Sequence, residues 1–150
     1  MVYDAAVIGA GVIGALTARE LSRYDLKICI IEKGADAACG ASKANSAIVH
    51  AGYDPVPGTL KARFNVRGNR LFESISKELD LPFKRIGSLV LAFDEAGMDT
   101  VRELYERGMR NQVPGLRILD SSEKVREIEP NIAQEAVGAL HAASAGITCP

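Results

Sequence analysis

The sequence predicts an α/β fold that opens with a parallel strand–helix–strand unit and continues into an α+β region. Three observations predict it. A short apolar run, Ala5 to Ile8, leads at once into Gly9-Ala10-Gly11-Val12-Ile13-Gly14 and then into helix formers. A second apolar run, Ile28 to Ile31, follows a turn at Asp25 and Leu26 and ends on Glu32. Beyond Leu81 the pattern changes to amphipathic helices between short apolar strands, with no second glycine turn of this kind.

The first unit has a physical reason at each position. The run from Ala5 reads as a buried strand. Gly9 permits the tight turn out of it, Gly11 leaves room for a ligand to approach the backbone, and Gly14 lets the helix lie close to the sheet. Ala15 to Leu21 continues as helix, with Leu16, Ala18 and Leu21 toward one side. The helix N-terminus offers free amides and positive dipole character to a phosphate. Glu32, at the end of the second strand, is placed to accept from a ribose hydroxyl. Together these features predict a Rossmann-like nucleotide site.

Gly34 to Gly52 is a long connection of small residues. Ser42, Asn45 and Ser46 supply hydroxyl and amide groups there, and Lys43 a cation; a short helix is expected to open near Ser42. Ala47 to Gly52 reads as a short strand ending in His50-Ala51-Gly52. Pro55, Pro57 and Gly58 break the chain, and Leu60, Phe64, Leu71, Ile75 and Leu79 then recur at helical spacing. Lys61, Arg63, Arg67 and Arg70 on this helix read as a solvated face, with contact to a bound anion as the other reading. Pro82 is expected to end it. A strand over 86–93, a helix over 94–111, a short helix capped by Asp120 with Glu123, and strands at 136–141 and 146–149 complete the pattern.

Composition excludes several classes. With 47 % hydrophobic and 25 % charged residues, the 150-residue chain is not globally disordered and can bury one sizeable core. A formal net charge of −1 gives no general attraction to nucleic acid or anionic lipid. Cys29, Cys39 and Cys149, with only His50 and His141 beside them, have no zinc-site spacing, so no metal is expected. The cysteine usage suits a reducing cytoplasm, the inner membrane face included as a peripheral site. No run approaches the ~18 apolar residues of a membrane span. Asp4 stands where a signal peptide would carry basic residues.

Ala41 to Arg70 sharpens the reading. Gly40-Ala41-Ser42-Lys43-Ala44-Asn45-Ser46, Ile48-Val49-His50-Ala51-Gly52, Pro57-Gly58-Thr59-Leu60-Lys61-Ala62, the later Arg85 to Ala92, and Glu129-Pro130-Asn131 resemble the FAD-dependent oxidoreductases of the D-amino-acid oxidase superfamily. Within it, the chain is similar to the glycerol-3-phosphate dehydrogenase and L-2-hydroxyglutarate oxidase branch. The resemblance implies a glutathione-reductase-type FAD-binding domain over residues 1–80 and the start of a substrate domain over 81–150. It implies FAD as cofactor, with Gly9, Gly11, Val12, Ile13 and Gly14 at the pyrophosphate and Glu32 at the adenosine ribose. Lys33, Ala41, Ser42, Lys43, Asn45 and Ser46 complete that set. The implied reaction takes a hydride from a carbon bearing a hydroxyl or amine, in a small anionic substrate, onto flavin N5, with oxygen, quinone or another carrier as acceptor.

His50 is the candidate catalytic residue, taking the substrate's hydroxyl proton; a structural role and covalent flavin attachment are the alternatives. The glycerol-3-phosphate branch has His-Gly-Gly followed by arginine, where this chain has His50-Ala51-Gly52-Tyr53-Asp54. That difference adds weight to a hydroxy acid as substrate; the resemblance still implies a glycerol-3-phosphate dehydrogenase-like activity first, with L-2-hydroxyglutarate, amino acids or amines as the alternatives. Relatives several hundred residues long imply that the chain is an N-terminal fragment. Such a fragment is expected to self-associate through an open sheet edge and to hold FAD weakly, acting at most as a nucleotide-binding module.

Overall fold

The computed structural model describes residues 2–149, which fall into two compact units, one running to Ser46 and the other from Ala47 to Cys149. The first holds β1 (Ala5–Ile8), α1 (Val12–Leu21) and β2 (Ile28–Ile31). β1 and β2 pair in parallel from Ala5↔Ile28 to Ile8↔Ile31, so the predicted strand–helix–strand unit is present. Ala18 is the buried residue of α1, between half-buried Leu16 and Leu21. Much of the apolar surface here is bare: Ile8 is 87 % and Ile13 81 % exposed.

The second unit contains two antiparallel sheets. One has the order β3-β8-β4, from β3 (Ile48–Val49), β4 (Phe83–Lys84) and β8 (Gly146–Thr148). The other has the order β5-β7-β6, from β5 (Ser88–Ala92), β6 (Leu116–Leu119) and β7 (Gly138–Ala142). Because β8 joins β3 to β4, the chain on either side of residue 80 belongs to one unit. The divide between compact units, after Ser46, falls earlier in the chain than the functional boundary expected at residues 80 and 81.

β7 is buried along its whole length, as the central strand of a sheet covered on both faces. Leu140 and Ala142 pack with Met98 and Val101 of α3 (Glu95–Arg110). Ala139, on the opposite face, packs with Val125 of α4 (Ser122–Ile128). Leu140 is fully buried, and cutting it to alanine would cost about 2–5 kcal/mol.

Local signals set the helix ends. Thr59 caps α2 (Leu60–Glu78), its Oγ1 accepting from the Ala62 amide at 3.2 Å. Asp94 caps α3 in the same way through Gly97 at 2.7 Å. The cap of α4 is Ser121 and not Asp120; Asp120 instead meets Lys124 at 2.7 Å, one turn on. α2 ends before Pro82, where Asp80 takes φ +53°. The recurring apolar residues that predict α2 do not mark its buried face. Leu60, Phe64 and Leu71 are exposed, and Ala62, Val66, Asn69 and Ser76 are buried. β4 and β6 escape the sequence reading, β4 because two residues carry no period and β6 because its four depend on pairing with β7.

Candidate functional site

In the first unit the chain builds an amide cradle after β1. The Gly9 amide donates to Ile31 O at 2.8 Å, which ties the turn to the end of β2. A Cβ on Gly14 would run into the Gly9 carbonyl, so this position accepts only glycine at the present backbone spacing. Gly11 begins α1 in an extended conformation, with no side chain of its own to cap the helix. Ser42 takes that role from the long connection: its Oγ accepts from the Val12 amide at 2.8 Å. The connection also folds back through Ala38, whose amide donates to Ala10 O at 3.1 Å.

Glu32 closes the turn from the other side. Its Oε2 accepts from the Ala10 amide at 2.7 Å and its Oε1 from the Gly34 amide at 2.8 Å. These two bonds, the Ala10 one foremost, hold its carboxyl below the usual glutamate range. An ionised carboxylate has about four lone-pair sites, so capacity for ribose hydroxyls is left. The expected short helix at Ser42 is a series of turns instead. Asn45 Nδ2 donates back to Ala41 O at 3.1 Å and Ser42 O at 3.0 Å, which competes with helix formation. Lys33, Ala41, Lys43 and Ser46 are exposed around the same unit, as are Val12 and Ile13. The remaining first-turn amides of Ile13 and Gly14, glycines that admit a close approach, and an ionised acid at the strand end fit a dinucleotide pyrophosphate and its ribose.

His50 belongs to the second unit. It leaves β3 beside a cavity of about 250 Å³ that is also lined by Gly52, Tyr53, Asp54, Pro55, Lys61 and Asn65. Gly52 takes φ +109°, and a Cβ there would come within 2.6 Å of Val66 Cγ2. The loop after His50 is held almost carbonyl by carbonyl. Asn69 Nδ2 donates to His50 O at 3.0 Å. Asn111 Nδ2 donates to Gly52 O at 3.0 Å and Pro55 O at 2.7 Å. Arg107 Nη1 donates to Asp54 O at 2.9 Å. Lys61, from the first turn of α2, brings a cation to the cavity that holds His50.

Asn69, Arg107 and Asn111 were invisible as site residues in the sequence. Each serves a backbone carbonyl far away in the chain, and no local spacing announces that. His141 lies elsewhere, in β7, buried and accepting from Arg117 Nε at 3.1 Å through Nδ1. Burial, and then the Arg117 charge, push its pKa down. No cluster of ligating side chains fit for a metal ion occurs among the described residues, and none of their helices is long and apolar enough to cross a membrane.

The chain matches known proteins along almost its whole length. Residues 4–150 match a family described as DAO, FAD dependent oxidoreductase. The chain is 55 % identical over 148 residues to a glycerol 3-phosphate dehydrogenase of Caloramator mitchellensis, covering 99 % of this chain and 31 % of that protein. It is 34 % identical to a mitochondrial L-2-hydroxyglutarate dehydrogenase of Dictyostelium discoideum, over 97 % of this chain and 33 % of the relative. The solved L-alpha-glycerophosphate oxidase of Mycoplasma pneumoniae, with FAD bound, superposes with a TM-score of 0.89 at 33 % identity, over 99 % of this chain and 39 % of that one. The chain spans about a third of the length of the curated relatives it matches.

Proposed function

The chain belongs to the FAD-dependent oxidoreductase (DAO) family, and from that premise we propose that it contributes the FAD cradle and part of the substrate site of an enzyme oxidising glycerol 3-phosphate. The observation that carries the reading is the Ser42-capped glycine turn closed by Glu32. In this reading the Ile13 and Gly14 amides, with Gly9, Gly11 and Val12 shaping the turn around them, hold the pyrophosphate, and Glu32 holds the adenosine ribose. Lys33, Ala41, Lys43, Asn45 and Ser46 line the path of the cofactor. Bound flavin supplies the hydride acceptor.

The residues of the chain do the rest. His50 accepts the proton of the substrate hydroxyl on its ring as the C–H bond is broken. Lys61 offers its ammonium to the anionic end of the substrate from the same cavity. The carbonyl bonds from Asn69, Arg107 and Asn111 keep that loop in one shape, so little reorganisation is needed when substrate arrives. Cys29, Cys39 and Cys149 form no disulfide among the described residues, which supports a reducing, cytoplasmic setting.

Identity to a glycerol 3-phosphate dehydrogenase supports the phosphate substrate. A second reading, L-2-hydroxyglutarate, is favoured by Tyr53 and Asp54 standing after Gly52 where a phosphate-binding arginine is expected. Anaerobic mixing of the full-length holoenzyme with each compound decides between them. Glycerol 3-phosphate is expected to bleach the flavin absorbance within turnover time. Flavin that stays oxidised with glycerol 3-phosphate and bleaches with L-2-hydroxyglutarate would move the assignment to the hydroxy acid.

A further inference from the structure

We infer that Asn69 is a positioning residue for His50, and that Arg85 locks Asn69 in the one amide orientation that does this. The inference rests on His50 as the acceptor of the substrate proton. β3 and β8 pair through Ile48↔Ile147 and Val49↔Gly146, and there the ladder stops. One residue beyond Val49 and two before Gly146, the amide of Asn69 takes its place between the two chains. Its Nδ2 donates to His50 O at 3.0 Å and to Ser144 O at 2.9 Å. Both amide hydrogens are then in use, and Oδ1 accepts from Arg85 Nη1 at 3.1 Å.

The guanidinium leaves no freedom for the reverse orientation. Arg85 also donates to Ser144 O at 2.6 Å and, through Nη2, to Asn69 O at 3.1 Å. Its Nε lies 3.4 Å from Glu73, and its Cζ lies 5.3 Å from the Phe83 ring centroid. A flipped Asn69 would aim its oxygen at two carbonyl oxygens and its hydrogens at a cation. At 4 % exposure, water offers no relief for such a clash. The side chain therefore fixes the His50 carbonyl at the point where the chain turns toward the cavity. With it the amide sets the direction in which the imidazole leaves the backbone. A misplacement of about 1 Å at a reacting group can cost roughly 10²-fold in rate, so the role is kinetic as well as structural.

Asn69→Asp is the isosteric test: it keeps an acceptor for Arg85 and removes both donors. The full-length holoenzyme is prepared as wild type, Asn69→Asp, His50→Gln and the double variant, and flavin reduction by substrate is followed anaerobically. Asn69→Asp is expected to slow reduction by about tenfold or more in the wild-type background with FAD content retained, and by less than about twofold when His50 is already Gln. Equal slowing in both backgrounds would show a role independent of His50 and overturn the inference. Should Asn69→Asp fail to fold, Arg85→Lys, which keeps the charge and loses the forked contact, enters the same cycle with the same two outcomes. Wild-type flavin that neither hydroxy substrate reduces would sink the functional reading alone. The inference is then read from the His50 imidazole resonance, identified by its loss in His50→Gln: Asn69→Asp moves it if the amide sets the ring, and an unmoved resonance overturns the inference.

Discussion

Glu32 Oε2 accepts the Ala10 amide at 2.7 Å, so the acid at the end of β2 braces the glycine turn at the end of β1. Its other oxygen braces the Gly34 amide. One carboxylate thus shapes the cradle and remains available to a ribose. Glu32→Gln keeps one acceptor oxygen for two amides, and FAD affinity in the full-length protein is expected to fall roughly tenfold. The bonds lower the folded-state pKa below 4.5, so the stability they bring is present above that value and is lost as pH falls through the folded pKa. Denaturation midpoints in acid should lose this component in the variant; a variant with wild-type FAD affinity would remove Glu32 from the cofactor site.

Gly14→Ala tests the close approach of α1 to the turn. The added methyl falls on the Gly9 carbonyl, a backbone atom that cannot swing away. The variant is expected to be about 1–3 kcal/mol less stable and to purify with little FAD. Thermal melting and the ratio of flavin to protein absorbance report both effects, and full flavin content would show that the cradle tolerates the methyl.

His50→Asn separates proton transfer from cofactor binding. Flavin reduction is expected to slow by roughly 10²-fold while FAD content is unchanged. Unaltered reduction would leave His50 as a shaping residue only.

His141 makes stability depend on pH for a reason remote from the cavity. Burial and the Arg117 charge lower its folded-state pKa below 6.5. The unfolded chain therefore takes up the proton first, and stability falls as pH drops from about 6.5 toward the folded value, with no change from this group above that window. Urea midpoints measured on either side of the window should show the fall, and His141→Gln should flatten it. A slope that survives in the variant would assign the effect to other groups.

The 150-residue chain by itself is expected to self-associate. Ile8 at 87 % and Ile13 at 81 % exposure, beside half-exposed Ile30 and Ile31, leave apolar surface and two strand edges without cover in the first unit. Size-exclusion chromatography with light scattering checks this; a stable monomer holding stoichiometric flavin would contradict it.

The elements legible in the sequence are those whose causes are close together in the chain. The turn from Gly9 to Gly14, the helices α2 and α3, and the strands β1, β2 and β7 each follow from a few adjacent residues. Reading fails where causes are distant or degenerate. The cap at Asp120 was misplaced by one residue because Asp120 and Ser121 are both good caps, and Lys124 draws Asp120 away. The apolar spacing that predicts α2 does not reveal its buried face, because its small residues, and not its large ones, fit beneath it.

By itself, the sequence determined the strand, glycine turn, helix and second strand of the first unit, because a glycine turn, a following helix and an acid at the next strand end are neighbours along the chain and act through the backbone they share. Only the tertiary structure decided what holds His50. Asn69 reaches it across 19 residues and ties it to Ser144 across 75, while Asn111 grips Gly52 across 59. Such partners meet only when the second unit has closed around its core, and a polar side chain at these positions looks the same in the sequence whether it ends in solvent or on a buried carbonyl.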